Sequence, residues 1–138
     1  RITSIYEGTT QLQVVAAIRY VTNKAYSAML SEFDFGTLTN ELIPLKDRIM
    51  AINSKLDLAT DMVTEPKNQE YVDFHARGLM EMASFCVMSS LLLRDANFNP
   101  GLLGRSAKVF IDFAETETAK HLAFIKNSSI EQMSTYRW

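Results

Sequence analysis

Leu38-Thr39-Asn40-Glu41-Leu42-Ile43-Pro44-Leu45-Lys46-Asp47-Arg48-Ile49-Met50-Ala51-Ile52-Asn53-Ser54-Lys55-Leu56 is the most regular stretch of this chain. Its large apolar residues, Leu38, Leu42, Leu45, Ile49, Ile52 and Leu56, succeed one another in steps of four and three. On a helix of 3.6 residues per turn, such steps draw one apolar stripe along an otherwise polar rod. Pro44 clashes with the preceding turn inside a helix but is tolerated in the first turn. The regular helix is therefore predicted to begin between Asn40 and Pro44.

Working outward, the same period recurs on both sides. A first helix is predicted from about residue 9 to about residue 33, with Leu12, Val15, Ile18, Val21 and Ala25 among its apolar positions. Gly8 and Gly36 punctuate its ends. Thr64-Glu65-Pro66-Lys67 breaks the chain, and a third helix is predicted from about residue 68 to about residue 95. Val72, Ala76, Leu79, Ala83, Cys86, Ser90 and Leu93 mark its stripe. Residues 79–93 are apolar nearly all round, which predicts the central helix. Asn97-Phe98-Asn99-Pro100-Gly101 is dense in turn residues. A fourth helix is predicted from about residue 103 to about residue 126, with Ala107, Phe110, Ala114, His121 and Ile125 near one face. No segment alternates as a strand does, and no repeat is visible. The expected fold is all-α, an up-down antiparallel four-helix bundle.

Composition narrows the function. One domain suits 138 residues, and 47% hydrophobic against 22% charged residues is enough apolar material for a core. A net charge of -2 argues against nucleic-acid binding driven by bulk charge. Cys86 is the single cysteine, so an intramolecular disulfide and a multi-cysteine zinc site are excluded. In the middle of an apolar helix it reads as a buried structural thiol. His75 and His121 are the two histidines. Glu117 and His121 are four apart, as are Tyr71 and His75, and neither pair has the Glu-x-x-His spacing of a di-iron bundle. No metal site is expected, and both histidines read as satisfied interior or boundary residues. Met80, Met82 and Met88 read as core filling. Glu81, Ser84, Ser89 and Ser90 interrupt the longest apolar stretch, so no bare run of about 18 residues offers to span a bilayer. The fourth helix mixes Arg105, Lys108 and Lys120 with Asp112, Glu115 and Glu117, a solvated face rather than a membrane-seeking one. The chain opens on Arg1, which raises the expectation that something was removed ahead of it or that it is a piece of a longer polypeptide.

Chemistry concentrates in Arg1-Ile2-Thr3-Ser4-Ile5-Tyr6-Glu7-Gly8-Thr9-Thr10-Gln11-Leu12-Gln13. A carboxylate can act as a carbon base when burial raises its pKa toward working pH. A glycine after it lets backbone approach a ligand. Thr9, Thr10 and Gln11 then stand where a helix begins and amide donors are unpaired. Read alone, Glu-Gly-Thr is also a plain helix start capped by Thr9.

The longer string, Ile-Tyr-Glu-Gly-Thr followed by Gln-x-Gln, resembles the catalytic loop of the acyl-CoA dehydrogenases, FAD enzymes that place an α,β double bond in acyl-CoA thioesters. The resemblance implies Glu7 as the base that takes the α proton, its main-chain N–H also bonding the thioester carbonyl. It implies Thr9 and Gln11 at the FAD, and Tyr6 and Gly8 at the substrate. Arg1 and Arg19 are plausible supporting charges. The family often has a basic residue where Val14 stands, a departure that leaves the chemistry untouched. The flavin-binding body precedes this loop in the family, so the 138-residue chain by itself is expected to be inactive and not to hold FAD. About a hundred residues follow the first helix, which resembles members with an additional C-terminal helical domain. Residues 1–36 are then a catalytic-loop remnant (1–13) with the first helix, and residues 37–138 the additional helices, all packed as one helical domain. Implied partners are the acyl-CoA substrate, an electron-transfer flavoprotein or similar acceptor, and further copies in a homo-oligomer. Nucleic acid and membrane are not expected partners. The expected compartment is cytoplasm in a bacterium or the mitochondrial matrix in a eukaryote. The alternative reading is a helical interaction or scaffold module without a catalytic role.

Overall fold

The computed structural model describes residues 18–136, and among them every regular element is a helix. Residues 18–22 are helical and lead through a turn into α1 (Ala25–Ser31). There follow α2 (Ile43–Thr64), α3 (Gln69–Phe98), α4 (Pro100–Lys126) and the short α5 (Ile130–Thr135). The long helices α2, α3 and α4 pack pairwise, and α3 touches every other helix, which makes it central as predicted.

The α2 stripe does what its spacing demands. Leu45, Ile49, Ile52 and Leu56 are buried along one side, and Leu42 is buried just ahead of them. Pro44 occupies the first turn, where its missing N–H costs nothing. Leu38 lies before the helix and is only partly buried. Pro66 follows the end of α2, and Lys67 takes a left-handed conformation with φ 53° to turn the chain. Asn68 then caps α3, its side chain accepting from the Tyr71 N–H at 3.1 Å.

The break between α3 and α4 is shorter than predicted. Asn99 alone separates them: its N–H donates to the Asp95 carbonyl at 3.3 Å, and its side chain accepts from Leu102 N–H at 3.3 Å. Pro100 stands at the first helical position, so α4 starts there rather than near residue 103. The two helices run antiparallel. Phe74 meets Phe124 at 6.1 Å near one end, and Phe85 meets Phe113 at 5.7 Å further along. Ala107, Ile111, Ala114, Thr118, Leu122 and Ile125 form the buried side of α4. Phe110 and His121, predicted on that side, sit half-buried at its flank.

The first helix departs from expectation. It is interrupted at Asn23 and Lys24, with Lys24 at φ 61°. Asn23 Oδ1 accepts from Ala25 N–H at 3.0 Å, and Lys24 Nζ meets Asp61 of α2 at 2.9 Å. Asparagine bonds readily to nearby backbone, which competes with helix, and the ion pair holds the kink on α2. Ser27 donates to Asn53 at 3.1 Å and also bonds Asp57, so α1 runs back along α2. Gly36, at φ 72°, turns the chain toward α2. Asn97 pins that turn by donating to the carbonyls of Thr37 at 3.1 Å and Phe35 at 3.4 Å.

By length and composition α3 could cross a membrane, with mean hydropathy 1.3 over 18 residues. In this fold its contacts with α2 and α4 account for much of that apolar character. Burial of Leu79, Met82, Ala83, Cys86 and Leu93 removes them from water completely.

Candidate functional site

The residues that the sequence singles out for chemistry, Tyr6, Glu7, Gly8, Thr9 and Gln11, lie outside the described residues. Arg19 is described and is exposed on the helical segment 18–22. Within residues 18–136, both histidines meet in a cleft of about 190 Å³ between α3 and α4, lined by His75, Arg77, Gly78, Glu81, His121 and Phe124.

Helical spacing builds this cleft. His75, Gly78 and Glu81 fall on the side of α3 that faces His121 and Phe124 of α4. Gly78 faces the His121 ring, and a Cβ there would lie 3.4 Å from His121 Nδ1, an ordinary contact. His121 Nε2 comes within 2.7 Å of Glu81 Oε2. The contact lacks hydrogen-bond direction, and Nε2 is left without a directed partner. Arg77 lies on the other side of Glu81, at 3.5 Å.

His75 is 3% exposed, and its Nε2 has no hydrogen-bond partner. Tyr71 and Phe74 meet its ring edge-on at 4.7 and 4.9 Å, and Phe124 at 5.7 Å. Burial pushes its pKa below the ordinary histidine value, because charge is penalised in an apolar box. The histidines are thus interior and boundary residues as expected, but they are not satisfied. The cleft can hold a proton or a small polar group; it offers no nucleophile paired to a base. Among the described residues no three His, Cys, Asp or Glu side chains converge to hold a metal.

Two further features lie away from this cleft. Arg48 of α2 bridges to α4, its guanidinium bonding Asp112 and Glu115, with Nε to Glu115 at 3.0 Å. Those carboxylates hold Arg48 well above its usual pKa. Cys86 is fully buried, and its thiol is pushed up to about 12, by burial first and by Asp57 second. That agrees with a structural thiol.

Further along the same α3/α4 face lies a patch that the periodicity does not show. Met88 was expected to fill the core, yet it is 52% exposed, and Leu91 beside it is 39% exposed. Across the groove Val109 and Phe113 are 61% and 52% exposed. Phe85, Phe110 and Phe113 stack their edges at 5.7 to 6.4 Å along the floor. The signal was present in Val109 and Phe113, four apart and off the Ala107–Ile111–Ala114 stripe. It marks a second apolar face on a helix that needs only one.

Comparison with known proteins gives one family and one fold. A family model described as "Acyl-CoA dehydrogenase C terminal" matches residues 22–133. The fold is similar to a crystal structure of an acyl-CoA dehydrogenase family protein from Porphyromonas gingivalis, with a TM-score of 0.77 and 30% identity. That alignment covers 83% of this chain and 98% of the other. No curated protein matches the chain significantly.

Proposed function

Because this chain belongs to the acyl-CoA dehydrogenase C-terminal family, we propose that it is the C-terminal segment of an FAD-dependent acyl-CoA dehydrogenase. The observation that carries the reading is the family match over residues 22–133, downstream of Tyr6-Glu7-Gly8-Thr9 in the same chain. In the intact enzyme Glu7 takes the α proton of the thioester. Its main-chain N–H bonds the thioester carbonyl and so makes that proton more acidic. Tyr6 and Gly8 line the substrate, Gly8 because a missing Cβ permits close approach. The donor set suits a flavin: the Thr9 hydroxyl and the Gln11 amide can each bond a polar ring edge. Bound FAD would supply the acceptor for the β hydride, and an electron-transfer flavoprotein or similar acceptor would receive the electrons. Alone, the 138-residue chain turns over nothing and holds no FAD stably. In the same reading the helical segment 18–22 and α1 together serve as the fourth rod of an up-down four-helix bundle, so that residues 1–36 and 37–138 pack as one domain.

The test is Glu7→Gln in the intact enzyme. Turnover should fall by at least a thousandfold, on the order of the general-base contribution, while the flavin absorbance stays. Near-normal dehydrogenation would overturn the assignment of the base. The second reading, a helical interaction module without catalysis, draws on the exposed apolar face of α3 and α4. An intact protein that is colourless, with no response to acyl-CoA, would favour it.

A further inference from the structure

We propose that the cleft between α3 and α4 is a binding site for a small, neutral, phenol-like molecule, a six-membered ring whose single hydroxyl bonds His75 Nε2. The cleft holds a buried polar atom with nothing to bond. His75 is 3% exposed, and its Nε2 has no hydrogen-bond partner. A nitrogen taken out of water and given no partner costs stability, and folded proteins leave few of them. This one belongs to a side chain that lines a cleft of about 190 Å³. Leucine or methionine would fill the same place on α3 without that cost. An imidazole there makes physical sense when a polar atom from outside the chain completes it.

Size, walls and charge select the ligand. An apolar cavity of about 150 Å³ takes up benzene, so about 190 Å³ admits one ring with one substituent. Phe74 and Phe124 stand 6.1 Å apart at 35° and, with Ile125, form the apolar walls. A flat ring can meet them by edge and face, as both already meet His75. An ion is unwelcome here. Burial disfavours the charged imidazole, and the charged groups at the rim are engaged with one another. Arg77 pairs with Glu81 at 3.5 Å, and Glu81 Oε2 lies 2.7 Å from His121 Nε2. A neutral imidazole carries a proton on one nitrogen and a lone pair on the other. A hydroxyl both donates and accepts, so it satisfies Nε2 in either tautomer, whereas a carbonyl or an ammonium satisfies only one. Phe124, 53% exposed, is the least enclosed wall, and it is the one that turns aside to admit the ring. The site lies between residues 74 and 125 and is independent of the assignment of Glu7.

The experiment is a nuclear magnetic resonance titration of the 138-residue chain with phenol, and in parallel with toluene and with benzoate. It is run at about pH 7.5, above the ordinary histidine pKa. Phenol should shift the His75 ring signals with a dissociation constant of about 1 mM, and toluene should compete with it. Benzoate, which would carry a charge into the apolar box, should not compete at about 10 mM. His75→Leu keeps about the same volume and removes the nitrogen. It should cut the ratio of phenol to toluene affinity about tenfold, because the ligand hydroxyl is then left unpaired. Phe124→Ala, at a half-exposed position that leaves the core intact, should weaken phenol and toluene alike and keep their ratio. Helical circular dichroism should be unchanged in both variants. Absence of phenol binding at about 10 mM would overturn the proposal. So would an unchanged ratio in His75→Leu, benzoate bound as tightly as phenol, or phenol shifting Val109 and Phe113 while His75 stays unmoved.

Discussion

Lowering the pH should weaken this fold through His75. The ring is 3% exposed, boxed by Tyr71, Phe74 and Phe124, and Nε2 has no partner to share a proton with. Burial puts the folded-state pKa below the ordinary histidine value, while in the unfolded chain that value is about 6.5. Between the two, the unfolded chain binds a proton that the folded chain refuses. The stability that neutral His75 permits is therefore complete above about pH 6.5, declines as pH falls through that value, and levels off below the folded-state pKa. The decline cannot exceed about 1.4 kcal/mol per pH unit, the limit for one proton. His121, Glu81 and Arg77 share the cleft, and carboxylates elsewhere also titrate on acidification. The comparison that isolates His75 is with His75→Leu, which keeps about the same volume and leaves the other groups in place. Urea unfolding at several pH values between about 7.5 and 5.5 should show the wild-type midpoint dropping more steeply than that of the variant. The difference should open as pH falls below about 6.5 and stay within the one-proton limit. Parallel profiles would refute the reasoning, since they would mean that His75 takes up its proton as easily folded as unfolded.

Arg48→Met should cost about 1 kcal/mol of stability in thermal melts at low salt; partners that are 55% and 35% exposed keep the figure modest. The loss should shrink in 1 M salt. Gly78→Ala should stabilise by up to about 1 kcal/mol, because alanine is the better helix former and its Cβ would stand 3.4 Å from His121 Nδ1, an ordinary contact. A lower midpoint for that variant would show that the His121 ring cannot yield. Cys86 should react with a thiol reagent only as fast as the chain opens, given its full burial and a thiol pushed up to about 12. Complete labelling within seconds in native buffer would contradict it.

Much of this fold could be read from residue order, and the exceptions have physical causes. The stripe from Leu42 to Leu56 and the position of Pro44 foretold α2, because both depend on local geometry alone. The break at Lys24 did not show, since a non-glycine residue at positive φ is held there by Asp61, far along the chain. Periodicity located apolar faces on α3 and α4 but not what lies over them, so Met88 read as interior. Nor could spacing reveal that His75 is buried with Nε2 unpaired, which depends in part on the Phe124 ring brought in from α4. The candidate catalytic residues were legible for the opposite reason. The order Tyr6-Glu7-Gly8-Thr9 with Gln11 carries a resemblance in sequence alone, and it lies outside the described residues.

Asn99 serves at once as the last cap of α3 and the first of α4. A corner one residue long has no slack. Neither rod can slide past the other, nor roll about its own axis, without melting a turn on one side. The pair behaves as a caliper with a fixed jaw: the spacing between Phe85 and Phe113 is set at the corner and carried down both arms. Lengthening that corner by a flexible insertion should loosen the jaw while leaving each arm helical.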